Sequence, residues 1–122
     1  MISSDEFSQV QAAYCSEQGV TCVLTPEQSK IGFASSTAGR LPVNGLRHPP
    51  RRDTSGWYIW SGQYLPNAPD FFVPLCANHL YEQNPELIRL LGLPPGYRFL
   101  LAGGHLDVWF DESLLDFDYC VP

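Results

Sequence analysis

Five carboxylates fall within twelve residues late in the chain: Asp107, Asp111, Glu112, Asp116 and Asp118. Trp109, Phe110, Phe117 and Tyr119 are interleaved with them. Paired acids beside aromatic rings can work as general acid and base, as in glycoside hydrolysis, and Asp107, Asp111 and Glu112 are the trio nearest Trp109 and Phe110. That use requires a concave pocket and a carboxyl whose pKa is raised by burial. On an open face the same residues have the composition of a protein interface, with aromatic anchors and charge around them. Such a face would steer a basic partner and speed its capture. The plainest alternative is that the rings pack inward and the acids only solvate the outside.

Other chemistry finds less support. His48, His79 and His105 are far apart, and only Cys76 with His79 has a ligand-like spacing. A zinc site needs two more such ligands and no second pair exists, so neither a metal nor a cofactor is expected. Cys76 and His79 are also too close in sequence for a typical nucleophile–base pair, which is assembled from separate elements. Ser55 and Ser61 lie outside any G-x-S-x-G elbow, and the glycines form no phosphate-binding loop.

The elements that must position the acidic stretch are organised around Thr54-Ser-Gly-Trp-Tyr-Ile-Trp-Ser-Gly62. In an extended strand Trp57 and Ile59 face one way, Tyr58 and Trp60 the other. A strand apolar on both faces is a central one, and its indole rings bury enough area to nucleate a core. Ahead of it, Ser3 and Ser4 can cap a helix carrying Phe7, Val10 and Tyr14, stopped by Gly19 and lying on the sheet. Val20–Thr25 and Lys30–Ala34 read as a hairpin. From Ser35 to Asp53 no period survives, which predicts a long loop holding Arg40, Arg47, Arg51 and Arg52. These arginines either pair with the acidic half or form an arm that touches a partner; Arg51 and Arg52 are the candidates for the second role.

After the tryptophan strand, Gln63–Asp70 is a turn-rich link. Phe71–Leu75 is a strand that Pro74 confines to an edge. Ala77–Gln83 is a short helix, and Asn84 with Pro85 starts another with Leu87, Leu90 and Leu91 inside and Gly92 at its end. Tyr97–Ala102, Gly103-Gly104 and His105–Phe110 make a hairpin, followed by one helical turn and an end that reads as a short edge strand. The expectation is one α+β domain over residues 1–122, with a mostly antiparallel sheet of five or six strands and two or three helices packed on it.

Charge and cysteine usage bound the partners. Residues 1–61 carry five acids and five bases, whereas residues 62–122 carry eight acids and two bases, giving the net −6. An acidic chain is a poor match for nucleic acid or an anionic membrane. No apolar run is long enough to span a bilayer, and Met-Ile-Ser-Ser-Asp-Glu has no signal-peptide character, so a cytoplasmic protein is expected. Cys15, Cys22, Cys76 and Cys120 are then expected as reduced thiols; a Cys15–Cys22 disulfide is left open by sequence and disfavoured by that compartment.

Asn44-Gly-Leu-Arg-His-Pro-Pro50, the Thr54–Gly62 block, Asp70-Phe-Phe-Val-Pro-Leu75, Leu91–Leu100 and Asp107–Leu115 together resemble the bacterial immunity-protein 33 domain family, over about residues 20–118 and without the N-terminal helix. Gln63 and Tyr64 stand where acids are expected in many relatives. The resemblance implies a non-enzymatic cytoplasmic protein that binds and neutralises a cognate bacterial toxin, and it transfers no catalytic motif. The partner-binding residues expected from charge and aromatics are Asp107, Trp109, Asp111, Glu112, Asp116, Asp118, Arg51 and Arg52. A small hydrolase using Asp107, Asp111 or Glu112, and a structural or assembly subunit, are the alternatives.

Overall fold

The structure, a computed structural model, describes residues 3–34, 39–52, 54–62 and 71–116. Along the chain run α1 (Ser4–Gln18), β1 (Lys30–Phe33), β2 (Val43–Arg47), β3 (Thr54–Ser61) and β4 (Val73–Cys76). A 3₁₀ turn, Ala77–His79, leads into α2 (Leu80–Gln83) and a 3₁₀ helix, Pro85–Gly92. The hairpin β5 (Tyr97–Ala102) and β6 (His105–Phe110) and a 3₁₀ turn, Glu112–Asp116, follow. The strands form one sheet in the order β4-β1-β3-β2-β5-β6. Every neighbouring pair is antiparallel except β1–β3. This is the expected α+β architecture. The 63–70 link and the expected terminal strand, apart from Asp116, lie outside the described residues.

The tryptophan strand is central, between β1 and β2. Trp57 and Ile59 enter a main core with Phe7 and Tyr14 of α1, Leu87, Ile88, Leu90 and Leu91 of the 3₁₀ helix, and Phe99 of β5. Trp60 and Tyr58 enter a smaller cluster on the opposite face with Leu46, Leu114, Phe71 and Phe72. Trp60 is therefore a packing residue and not an exposed binding ring. β3 contains a bulge, since Lys30 pairs with Thr54 but Gly32 with Tyr58. Gly56 makes the bulge possible. It sits at φ 91, and a Cβ there would fall 1.9 Å from the His48 carbonyl oxygen.

Three expectations are corrected. Val20–Thr25 does not pair with β1. Its backbone is satisfied elsewhere: Val23 N donates to Gly92 O (2.9 Å), and Thr25 N donates to Gln11 Oε1 (2.8 Å). β1 pairs instead with β3 and β4. Second, the 35–53 stretch contains β2, a full partner of both β3 and β5. Asn44 and Gly45 weaken its strand signal, yet Gly45 fits because the Phe99 ring lies 2.1 Å from where a Cβ would stand. Third, α1 buries Phe7, Gln11, Tyr14 and Cys15 and leaves Val10 exposed, and it packs mainly on the 3₁₀ helix rather than on strands. Its ends match expectation, with Ser3 Oγ accepting from Glu6 N and Gly19 in the left-handed conformation.

Trp57 is 1% exposed and Trp109 is 42% exposed. Trp57→Ala is expected to lower unfolding free energy by roughly 3–5 kcal/mol, and Trp109→Ala by less than about 1 kcal/mol, measured by urea denaturation. Equal losses would remove β3 from its place at the centre of the core.

Candidate protein-binding face

Antiparallel pairing brings four strand ends together. The end of β2, the start of β3, the start of β5 and the end of β6 share one end of the sheet. Backbone bonds fasten them: Gly96 N donates to Arg47 O (2.8 Å), Asp111 N to Gly96 O (2.7 Å), and His48 N to Gly56 O (2.9 Å). The β2–β3 connection holding Arg51 and Arg52 therefore emerges beside the segment holding Asp111, Glu112 and Asp116. The His48 ring ties the two, its Nδ1 lying 3.0 Å from the Leu114 carbonyl oxygen.

On β6 side chains alternate. Asp107 and Trp109 share one face, and Leu106 and Val108 turn to the main core. Trp109 lies opposite Arg98, whose guanidinium carbon is 5.7 Å from the indole centroid. Phe110 is on the other face, edge-on to Tyr97 and over Gly96, which has no Cβ to obstruct it. Asp107 is exposed and contacts His105 Nε2 at 3.1 Å. Glu112 and Asp116 are exposed on the 3₁₀ turn, and Leu114 turns inward to the smaller cluster.

Asp111 has a different character from its neighbours. Its Oδ1 accepts from the Ser113 hydroxyl (2.6 Å) and the Ser113 N–H (3.1 Å), and its Oδ2 meets Arg98 Nη1 at 3.1 Å. The Ser113 hydroxyl first, and then Arg98, hold its carboxyl below the ordinary carboxylate value. It acts as a cap and a clamp, a role its sequence position does not announce. A catalytic acid needs the opposite shift, and Asp107, Asp111 and Glu112 line neither of two surface hollows. One, of about 190 Å³, lies by Gly32, Tyr58 and Phe72; the other, of about 230 Å³, lies by Arg40, Val43 and Leu87.

The remaining candidates separate as follows. Arg51 and Arg52 are exposed on a tight turn in which Thr54 N and Oγ1 both donate to Arg51 O (2.9 and 2.7 Å), with Arg52 at φ 55. Arg40 is exposed, and Asp118 lies outside the described residues. Cys76 Sγ accepts from Lys30 Nζ at 3.0 Å, and His79 is exposed. Among the described residues no three His, Cys, Asp or Glu side chains gather as metal ligands.

Sequence reasoning placed Arg47 in a loop with Arg40, Arg51 and Arg52, whereas it ends β2 and is 1% exposed. Its Nε donates to Ser55 O (2.9 Å), and its Nη1 to Val23 O (2.6 Å), Leu93 O (2.8 Å) and Leu91 O (3.2 Å). The guanidinium carbon is 5.7 Å from the Trp57 ring. A strand register placing residue 47 beside Trp57 is the only signal that could have found it.

Fold and face together define an α+β protein that presents an acidic, ring-bearing surface at one end of its sheet. The model of the Imm33-like domain matches residues 10–111, and the chain belongs to that family, an immunity-protein family. Comparisons with curated proteins and with solved structures find no match. The matched span starts inside α1, so part of that helix belongs to the family pattern, contrary to the expectation from resemblance. It stops at Asp111, leaving Glu112, Asp116 and Asp118 beyond it. Among the described residues no helix is long and apolar enough to cross a membrane.

Burial lowers the pKa of His48 from the ordinary 6.5; the Leu114 carbonyl opposes that and nearby Arg98 adds to it. The folded state thus binds fewer protons than the unfolded state below the ordinary value, and stability is lost as pH falls from 6.5 toward the folded pKa. Urea midpoints are expected to fall between pH 7.5 and pH 5.5, choices that straddle the ordinary histidine value by roughly one unit. His48→Gln, which can still donate to Leu114 O, should flatten that slope. An unchanged slope would show that His48 is not the group responsible.

Proposed function

We propose that this chain is a cytoplasmic immunity protein, a single domain over residues 1–122, that binds a cognate bacterial toxin and blocks it without turnover. The observation that carries the reading is the family match over residues 10–111. The face around Trp109 supplies a physical means. An aromatic ring on a paired strand is a suitable anchor, and Asp107 on the same strand and Glu112 and Asp116 on the turn after it add exposed negative charge. Occlusion would be steric where Trp109 seats and electrostatic around it. A toxin with a basic surface, such as one whose groove holds nucleic acid, fits that charge. Asp118, Arg51 and Arg52 complete the proposed contact set, and Asp111 supports it from within.

The test is co-expression with the toxin encoded beside it, read as rescue of growth and as a complex on a sizing column. Trp109→Ala is expected to weaken affinity by about thirtyfold or more, the loss of a central aromatic anchor. Glu112→Lys with Asp116→Lys is expected to slow association by about tenfold at low salt and less at high salt. Both variants should keep the wild-type unfolding free energy to within about 1 kcal/mol. Unchanged affinity in both would remove this face from the interface, and failure of the wild type to bind any neighbouring toxin would remove the function itself.

A further inference from the structure

Two of the thiols lie against the same glycine. Gly19, in the left-handed conformation at φ 69, ends α1 and turns the chain back, with Val20 N donating to Cys15 O at 3.1 Å. The return brings Cys22 to the helix face carrying Cys15. Both sulfurs converge on Gly92: a Cβ there would stand 2.9 Å from Cys22 Sγ and 3.2 Å from Cys15 Sγ. Both thiols are free. Cys15 is fully buried at 1% exposure, whereas Cys22 is partly exposed. That asymmetry is the arrangement of an attacking thiol at the surface with a resolving thiol behind it.

We propose that Cys15 and Cys22 are a thiol pair that closes to a disulfide when the protein meets a low-molecular-weight disulfide oxidant. The Cys22 thiolate attacks one sulfur of the oxidant, the oxidant's S–S bond breaks, and one small thiol leaves with a proton. Cys15 then loses its proton and attacks Cys22 Sγ. The mixed disulfide breaks, and the second small thiol leaves. The oxidant is reduced by two electrons and the two protein thiols are oxidised by two. The second step is the slow one, because burial, the largest influence on Cys15, holds its pKa above the ordinary thiol value. Closure should therefore quicken with rising pH through the mildly alkaline range.

The bond would join the last turn of α1 to the segment that lends Val23 O to Arg47 and Thr25 to Gln11. It lies at the 3₁₀-helix side of the molecule, so it does not depend on the proposed toxin face. The experiment is incubation of the full chain with oxidised glutathione at pH 8, followed by intact mass and peptide mapping. The expected product is lighter by about 2 Da, carries a Cys15–Cys22 link, and melts about 10 °C higher than the reduced protein. Cys76→Ser should still close, and Cys22→Ser should not. Cys15→Ser, near in size to the native residue, should stop at a stable mixed disulfide on Cys22. A wild-type chain that stops at that mixed disulfide, that links other cysteines, or that keeps both thiols free to alkylation would overturn the proposal.

Discussion

One carbonyl oxygen organises the interior. Leu91 O, near the end of the 3₁₀ helix, accepts from Arg47 Nη1 (3.2 Å), Trp57 Nε1 (2.9 Å) and Thr25 Oγ1 (2.6 Å). The end of a helix leaves carbonyls without intrahelical donors, and those carbonyls carry partial negative charge. Buried, they must be met or they penalise the fold. A guanidinium answers several of them at once and cannot escape its charge by losing a proton. Arg47 reaches Leu91, Leu93, Val23 and Ser55 together. Four separate pieces of chain are thereby fixed to one planar group: the 3₁₀ helix, the 20–25 segment, β2 and β3. Gln11 extends the arrangement into α1, its amide giving and taking hydrogen bonds with Thr25.

That arrangement reaches the acidic end of the sheet through backbone alone. Arg47 holds the core with its side chain, while its own carbonyl accepts from Gly96 N, and Gly96 O accepts from Asp111 N. The start of β5 and the end of β6 are thus set by the same residue that ties β2 to the helix. Arg98, one residue into β5, then reaches across to Trp109 and Asp111. Trp109 is exposed yet held by a cation on its ring and by a short strand with regular pairing. A ring fixed before binding loses little freedom on binding, which is what separates a useful anchor from a merely exposed hydrophobe.

The strand centre, the β5–β6 hairpin, the helix caps and the proline edge strand were legible in sequence because each rests on local chemistry. Trp57 and Trp60 alternate, Gly103-Gly104 turns, Ser3 and Gly19 cap, and Pro74 lacks a donor. β2 was not legible because its reasons are non-local. Gly45 weakens a strand by propensity and is suited to this one only because Phe99 lies over it. Val20–Thr25 failed in the opposite sense: β-branched residues favour a strand, but Gln11, Gly92 and Arg47 satisfy its backbone first. For the site, composition marked the 107–118 stretch and the 51–52 pair separately, and strand register brings the described parts of both to one end of the sheet. Charge counting could not divide the acids by role, since Asp111 differs from Glu112 through a hydrogen-bonding partner two residues on.

The division of labour among those acids bears on why such a face can exist at all. Among the described residues β6 is the last strand of the sheet, and an edge with an exposed tryptophan invites pairing with any other open edge. Here the outer strand also carries Asp107 and His105, and Arg98 covers part of the indole. Like charges on two copies brought edge to edge would repel, and the exposed acids on the following turn would add to that repulsion. A basic surface meets the opposite condition: the same carboxylates attract it and the ring remains to be covered. Under the proposed function, the features that keep the face from its own kind would be those that admit a partner of the other sign, and selectivity would follow from charge sign before any detailed shape is considered.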